Sequence, residues 1–599
     1  MRLKDAIKTA SFKKSTLKQA YQLYTKWGET IDPERVLNEY PRPQLKRNNY
    51  VILNGYWNYS ITKSMDKPKE FEGRILVPFS PESALSGVNR QLKPEEYLWY
   101  ERILPIEKKE DEKRCLLHFG AVDQYCEIFI NGKKAGEHMG GYLPFSFDIT
   151  DKITEGDNLL TLKVTDSSDT SYHSRGKQKL DSGGMFYTAQ SGIWQTVWME
   201  WVPRQYIDTV KITPSVDKKQ VVFTVSMKDN EKEESNPKFK VKIFEGKKVI
   251  QSLNSSRRSI TVPIQEPTLW SPENPFLYNV VIITKYDRVT SYFAMRKFEI
   301  KKDAEGLPRI FLNDMPYFQN GLLDQGYWPD GLYTAPSDQA MIFDIQGAKD
   351  LGFNMLRKHI KIEPLRWYYH CDRLGMIVWQ DMVNGGSKYN MVVMGYLPTI
   401  FPHLIDRVKD NRYRLFSRED KGGREEWIEE CRETVNLLYN CPSVAVWVPF
   451  NESWGQFDAN KMVKVIHKID KTRLVDHASG WYDQKGGDFR SIHNYLRTIE
   501  VVPEKRAFVL SEFGGYACHI PKHSYSDQVY GYRMFSSRKE LDAALKELYE
   551  NEILPSIKKG LAAAVLTQVA DVEDEVNGLY TYDRKVCKVK KIEVPYRIE

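Results

Sequence analysis

Between about residues 50 and 204 the chain repeats short runs in which apolar and polar positions alternate, among them YVILNGYWNYSI, CEIFINGKKAGEH and NLLTLKVTD, each bounded by turn residues. A period of two between Gly, Asn and Asp clusters predicts half-buried strands, and hence a β-sandwich. Asn131-Gly132 after Ile128-Phe129-Ile130 predicts a tight hairpin, because Asn-Gly readily takes positive φ. From about 205 to 303 a second set of strands (VKITPSV, QVVFTVSM, KFKVKIFEG, YNVVIIT) has the size of an immunoglobulin-like sandwich and lacks its cysteine pair. Beyond about 304 the alternation gives way to solid apolar runs separated by helical stretches: YFQNGLL, FNMLRKH, MIVWQDM, SVAVWVPFNE, RLVDHAS, FRSIHNY, AFVLSEF and AAAVLTQV. Strands covered on both faces read this way, so eight βα units over 304–599 predict a (β/α)8 barrel with its chemistry at the C-terminal strand ends. Ahead of all this, residues 1–49 form a basic arm in which Leu17, Tyr21 and Tyr24 fall at i, i+4, i+7, the spacing of a short amphipathic helix with a solvated basic face.

Composition narrows the function less than the pattern does. The 13% of aromatic residues suits a sugar binder, whose rings stack on pyranose faces, but sandwich cores use the same side chains. Of the net charge of +7, residues 1–47 carry +6, so the body is nearly neutral and nucleic acid is a poor partner. No apolar stretch is long enough to span a bilayer, which argues against a membrane partner, and MRLKDAIKTASFKK has no apolar core of a secretory signal. The seven cysteines are odd in number and free of CxxC pairs, which points to reduced thiols and a cytoplasmic setting. None of this fixes the oligomeric state, and a homo-oligomer stays open.

Two glutamates fall at strand ends on this register: Glu452 closing the fourth strand, in Phe450-Asn451-Glu452-Ser453-Trp454, and Glu512 closing the seventh, in Leu510-Ser511-Glu512-Phe513. Strands four and seven face each other across a barrel mouth. Cleaving a glycosidic bond with retention needs two carboxyls roughly 5–5.5 Å apart, one to protonate the leaving oxygen and one to attack the anomeric carbon. Either glutamate alone reads as one charge among 80 Asp and Glu; the pair on facing strands reads as chemistry.

With these residues in view the chain from about residue 50 onward resembles glycoside hydrolase family 2. The matching stretches are SGIWQTVWMEW (191–201), GFNMLRKH (352–359), CDRLGMIVWQD (371–381), NCPSVAVWVPFNES (440–453), SEFGG (511–515) and NGLYTYDRK (577–585). The resemblance implies a jelly-roll sugar-binding domain over 50–204, an immunoglobulin-like domain over 205–303 and a catalytic TIM barrel over 304–599. It also implies a retaining exo-acting β-glycosidase with Glu452 as acid/base, Glu512 as nucleophile and Asn451 on the sugar 2-hydroxyl. The charge of Glu512 is expected to raise the pKa of Glu452 until glycosylation removes it. Further substrate contacts are expected from Arg357, His359, His493, Tyr495, Trp328, Asp330, Trp454, Gln568 and Asp571. For Arg357 and His359 the alternatives are a structural ion pair and a buried, satisfied histidine; for Tyr495, packing; for Trp328 and Asp330, a plain turn around Pro329-Asp330-Gly331.

Departures from the family pattern bear on the sugar. Relatives acting on β-glucuronides carry Asn-X-Lys after the eighth strand; aligned on Gly578, this chain has Glu575 and Asn577 there, which removes that cation. The third strand is followed by Met382-Val383-Asn384-Gly385 rather than a Glu-X-His metal pattern, so no metal and no other cofactor is expected. The reading that follows is a hydrolase of neutral hexosides, β-galactosides first, with β-mannosides, β-glucuronides or other β-glycosides as alternatives. A catalytically weak carbohydrate-binding protein on the same fold is the non-enzymatic alternative.

Overall fold

The structure is a computed structural model that describes residues 20–107, 113–229, 232–233, 238–400, 405–502 and 504–598. The first sandwich packs a six-stranded antiparallel sheet, from Gly73–Val77 at one edge to Lys133–Met139 at the other, on a four-stranded sheet of Tyr50–Ile52, Val197–Pro203, Lys113–Phe119 and Phe145–Asp148. Alternation makes this possible: in Tyr125–Ile130 every second side chain, Cys126, Ile128 and Ile130, is fully buried between the sheets. Asn131 and Gly132 take φ of 52° and 78° and turn that strand into its neighbour, as the dipeptide predicts. The second sandwich sets Gln205–Ser215, Gln220–Asp229 and Ser259–Pro263 against a sheet of Lys248–Ser255, Phe239–Glu245, Tyr278–Ile283 and Arg288–Phe293.

The barrel strands are β1 (Gln319–Asp324), β2 (Met355–Lys358), β3 (Ile377–Asp381), β4 (Val444–Val448), β5 (Leu474–Val475), β6 (Phe489–Asn494), β7 (Ala507–Gly514) and β8 (Leu561–Thr567). All eight apolar runs become strands. They pair in parallel in the order β5-β4-β3-β2-β1-β8-β7-β6, and among the described residues no ladder joins β5 to β6, so the cylinder is nearly closed. A hairpin of Phe298–Lys302 and Pro308–Leu312 plugs the N-terminal end. Its Phe298, Ile310 and Leu312 pack on the inward residues Met355, Trp379 and Val565, and Arg309 donates to the carbonyl of Leu561 at the start of β8 (3.0 Å). The expected boundary at 303/304 falls inside this hairpin. The chemistry is therefore left to the opposite end.

The N-terminal segment departs from expectation. Leu17 lies outside the described residues, but from Ala20 to Asn49 the chain forms no α-helix, and Tyr21 and Tyr24 lie in non-helical chain. Instead it straps the domains together. Tyr21 donates its backbone N–H to the Tyr525 carbonyl (2.7 Å), Thr25 binds Asp330, Arg42 reaches Glu200 (2.5 Å), and Arg47 binds Asp287 (2.7 Å) and the Ile207 carbonyl. Arg42 and Arg47 are thus not part of a solvated face. A buried carboxylate needs a partner, and Glu200 and Asp287 find theirs in this segment.

Candidate active site

Arg357, the third residue of β2 and fully buried, is the hub of the barrel mouth. Its Nε donates to Asp381 Oδ1 (2.9 Å), one terminal nitrogen to Glu512 Oε1 (3.1 Å) and the Ser511 carbonyl (3.0 Å), and the other to Asn451 Oδ1 (2.8 Å). The planar guanidinium thus fixes four acceptors from β3, β7 and the loop after β4. Glu512 Oε2 accepts the hydroxyl of Tyr495, which follows β6. Burial and the charge of Glu512 push the Tyr495 hydroxyl well above its ordinary range, so it stays a donor.

Glu452 lies beyond the last residue of β4, on a tight loop where Glu452 and Ser453 take φ of 47° and 62°. Its N–H donates to the Ser479 carbonyl (2.9 Å) and the N–H of Trp454 to that of Asn451 (2.9 Å), which hold this left-handed turn in place. Its Oε1 lies 2.8 Å from His493 Nδ1. A carboxylate can only accept, so Nδ1 carries the proton given to Glu452, while Nε2 lies 3.2 Å from Ser479 Oγ and 3.5 Å from Arg357. Carboxylate oxygens of Glu452 and Glu512 and a ring nitrogen of His493 all lie within 4.8 Å of one another.

The electrostatics of Glu452 run against expectation. Burial pushes its carboxyl up, but the His493 hydrogen bond and the charges of His493, Lys177 and Arg357 outweigh it, and the group lies below its ordinary value. Asp381, by contrast, is raised by burial despite Arg357. It also binds His359 Nδ1 (2.9 Å), whose ring burial and the Lys177 charge keep well below its ordinary pKa and therefore neutral. Among the buried polar atoms with no partner among the described residues are Asn451 Nδ2 and His359 Nε2. Orphaned groups of this kind call for a ligand.

Of the sequence-derived candidates, then, the structure gathers Glu452, Glu512, Asn451, Arg357, His359, His493 and Tyr495 into one network. The others make contacts of their own. Trp328 is 4% exposed in the barrel core, edge-on to Trp27, with the Arg584 guanidinium 4.2 Å from its ring centre, and so offers no open stacking face. Asp330 Oδ2 is taken by the backbone and side chain of Thr25 (2.8 and 2.7 Å). Asp571 Oδ1 binds Lys588 (2.6 Å) and the Gly578 N–H, while Gln568 donates to Asn577 (2.8 Å). Trp454 stacks on Phe186 of the first sandwich (5.2 Å between ring centres). A sequence shows that these residues lie near strand ends but not which neighbours they meet; Asp330 Oδ1, Asp571 Oδ2 and Gln568 Oε1 have no partner among the described residues.

Sequence reasoning missed two groups. Asp381 ends β3, the same signal that picked out Glu512. Lys177 had no signal: it belongs to a loop of the first sandwich that crosses to the barrel mouth. There the N–H groups of Arg175 and Gly176 donate to the Asn384 carbonyl (3.0 and 3.1 Å), Arg175 donates to the Gly386 carbonyl (2.5 Å), and the Tyr187 hydroxyl to Glu575. Asn577 also donates to Glu575 (3.1 Å).

Two β-sandwiches leading to a (β/α)8 barrel with a glutamate pair in its mouth define the class: a three-domain barrel protein whose loops share one site. The chain belongs to glycosyl hydrolases family 2, matching its sugar binding domain over 87–203, the family 2 domain over 205–296 and its TIM barrel domain over 334–508. It is 26% identical over 475 residues to a "Putative beta-glucuronidase" of Formosa agariphila (71% of this chain, 51% of that one). To a beta-galactosidase of Thermoanaerobacter pseudethanolicus it is 23% identical over 487 residues (76% and 59%). The chain thus spans only about half to three-fifths of the length of these curated relatives. Among solved structures, a beta-D-glucuronidase of Dictyoglomus thermophilum shares the fold with a TM-score of 0.70 at 18% identity, over 91% of this chain and 96% of that one. No helix among the described residues is long and apolar enough to cross a membrane.

Proposed function

We propose that the chain is a retaining, exo-acting β-glycosidase working by double displacement. The observation that carries this reading is the carboxylate pair, with oxygens within 4.8 Å across the mouth and in unlike surroundings. That spacing suits a covalent intermediate and leaves no room for the water that an inverting pair must hold between them. Glu512, fixed by Arg357 and Tyr495, keeps an ionised oxygen ready for the anomeric carbon. Glu452 protonates the leaving oxygen. Once Glu512 is esterified its charge no longer opposes ionisation of Glu452, which then takes a proton from water as that water attacks. Asn451 Nδ2, already turned by its Oδ1 bond to Arg357, donates to the 2-hydroxyl, a contact that strengthens as positive charge develops on the ring.

The glycone is read less directly. Relatives named for galactosides and for glucuronides stand about equally near, and the preference for neutral β-galactosides rests on the missing cation after β8. Turnover of a panel of nitrophenyl β-glycosides, compared with the Glu512→Gln variant, tests the reading. Hydrolysis by the parent with at least about 1000-fold loss in the variant is expected; equal rates in both would overturn it.

A further inference from the structure

Two tyrosines stand face to face at the barrel mouth. The rings of Tyr495 and Tyr532 lie 3.8 Å apart between centres and 9° from parallel. Aromatic pairs left to themselves favour offset or edge-on arrangements with centres roughly 4.5–7 Å apart, so a stack this close needs the chain to hold it. The loop after β7 supplies that hold. The Tyr532 N–H donates to the Gly515 carbonyl (3.1 Å) and the Phe535 N–H to the Ala517 carbonyl (2.8 Å). On the other side the Tyr530 N–H donates to the Asp574 carbonyl (2.7 Å) and the Tyr530 carbonyl accepts from the Val576 N–H (3.2 Å), both in the loop after β8. Two glycines make the room. A Cβ at Gly515, whose φ is +61°, would lie 2.5 Å from Tyr532 Cδ2 and 3.2 Å from Tyr495 Cδ1, and one at Gly531 would lie 2.4 Å from the Ala517 Cβ. Gly515 closes the same SEFGG stretch that carries Glu512.

We propose that Tyr532 is a positioning residue for the nucleophile: its ring fixes that of Tyr495, and Tyr495 in turn donates its hydroxyl to Glu512 Oε2. The inference rests on the glycosidase reading above. The hydroxyl oxygen lies in the plane of its ring and moves with every tilt of it, so the aim of the donor is set by the ring. A flat neighbour across one face removes the tilt. The hydroxyl has a single proton and gives it to Glu512, so its contact with Thr567 Oγ1 (3.3 Å) is one in which it accepts. A ring that swung away would leave Glu512 Oε2 without that donor. Attack on the anomeric carbon depends on the carboxylate being held to a fraction of an ångström, so the stack acts on kcat more than on KM. It also gives Gly515 its reason, since any side chain there would enter the space of both rings.

The test measures kcat and KM on a nitrophenyl β-glycoside that the parent cleaves, in Tyr532→Leu, Tyr532→Phe, Tyr495→Phe and the variant combining Tyr495→Phe with Tyr532→Leu, each checked for folding by its thermal melt. Tyr532→Leu removes the flat face and is expected to lower kcat about tenfold, with KM within about twofold of the parent. Tyr532→Phe keeps the face and is expected to restore most of the parental kcat. In the Tyr495→Phe background no hydroxyl remains to be aimed, so Tyr532→Leu should have no further effect, whereas a merely structural role would add its loss again. If leucine prevents folding, Tyr532→Met enters the same cycle. A fluorine placed on the Tyr495 ring gives a readout that needs no turnover: its nuclear magnetic resonance line should shift in Glu512→Gln and shift or broaden in Tyr532→Leu. Additive losses in the cycle, or a fluorine line that Tyr532→Leu leaves unchanged, would overturn the proposal. Parental kcat in Tyr532→Leu beside an inactive Glu512→Gln would sink it and leave the glycosidase reading standing. A fluorine line that moves in Tyr532→Leu, with no Glu512-dependent turnover of any glycoside, would sink that reading and leave the hold of Tyr532 on Tyr495 standing.

Discussion

Glu452 and Glu512 have different surroundings, and that difference predicts different behaviour on substitution. With Glu452→Ala, substrates with activated aryl leaving groups still glycosylate Glu512, but no base remains to activate water, so the intermediate accumulates. Azide needs no base. It is expected to restore turnover and to give a β-glycosyl azide, since attack on the α-linked ester inverts that centre a second time. Nuclear magnetic resonance of the product decides: an α-azide would mean that the two glutamates exchange roles. His493 gives a second prediction. Its Nδ1–H donates to Glu452 and helps hold that carboxyl low, so His493→Ala removes a force that lowers the pKa. The acid then stays protonated to higher pH, and the basic limb of the kcat/KM profile should move up by about one to two pH units. A limb that stays in place would show that the contact does not tune the acid. At this scale the sequence was legible where a polar residue stands at or near the end of an apolar strand, as for Arg357, His493 and Glu512; Asp381 carries the same mark and was passed over. It was not legible for Trp328 and Asp330, whose partners Trp27 and Thr25 lie some 300 residues away in the chain.

The barrel strands could be read from sequence because a strand buried on both faces must be apolar throughout, and a run of five such residues between turn signals has few other uses. The N-terminal segment could not. Its charges look like a solvated surface until the carboxylates that take them up are known. Tyr40, Arg42, Arg47 and His118 surround Glu200, whose carboxyl burial pushes up and whose cationic neighbours, Arg42 first, pull well below the ordinary range. Stability from such a group is full above the ordinary glutamate pKa and is lost as pH falls through the depressed folded value. Arg42→Ala raises that folded value, so acid unfolding is expected to begin at higher pH than in the parent, as followed by tryptophan fluorescence. Arg47→Ala leaves the buried Asp287 with only the Ile207 and Arg288 N–H groups as donors and should cost about 3 kcal/mol, visible as a lower urea midpoint. A change within error in that midpoint would mean that the strap contributes little.

In the whole molecule two bodies meet at the site. The barrel supplies the glutamates, Arg357 and the histidines; a loop of the first sandwich is held on the barrel rim by the bonds of Arg175 and Gly176 to the Asn384 and Gly386 carbonyls. Arg175→Ala removes the donor to Gly386 without touching the glutamates. We expect KM to rise about tenfold with a smaller fall in kcat, because the loop's position suffers and the catalytic pair does not. A fall in kcat alone would point instead to disturbance of Glu452.

The loop that crosses from sandwich to barrel also sets how the molecule fails on heating. Contacts between domains open at lower free energy than the cores on either side of them. A small separation at this seam breaks the bonds of Arg175 and Gly176 to the Asn384 and Gly386 carbonyls and loosens the rim beside the catalytic pair while every strand of the barrel is still paired. Heat should therefore silence the molecule before it melts, with half-inactivation, assayed at the temperature of incubation, several degrees below the loss of circular dichroism, and full recovery on cooling from that interval.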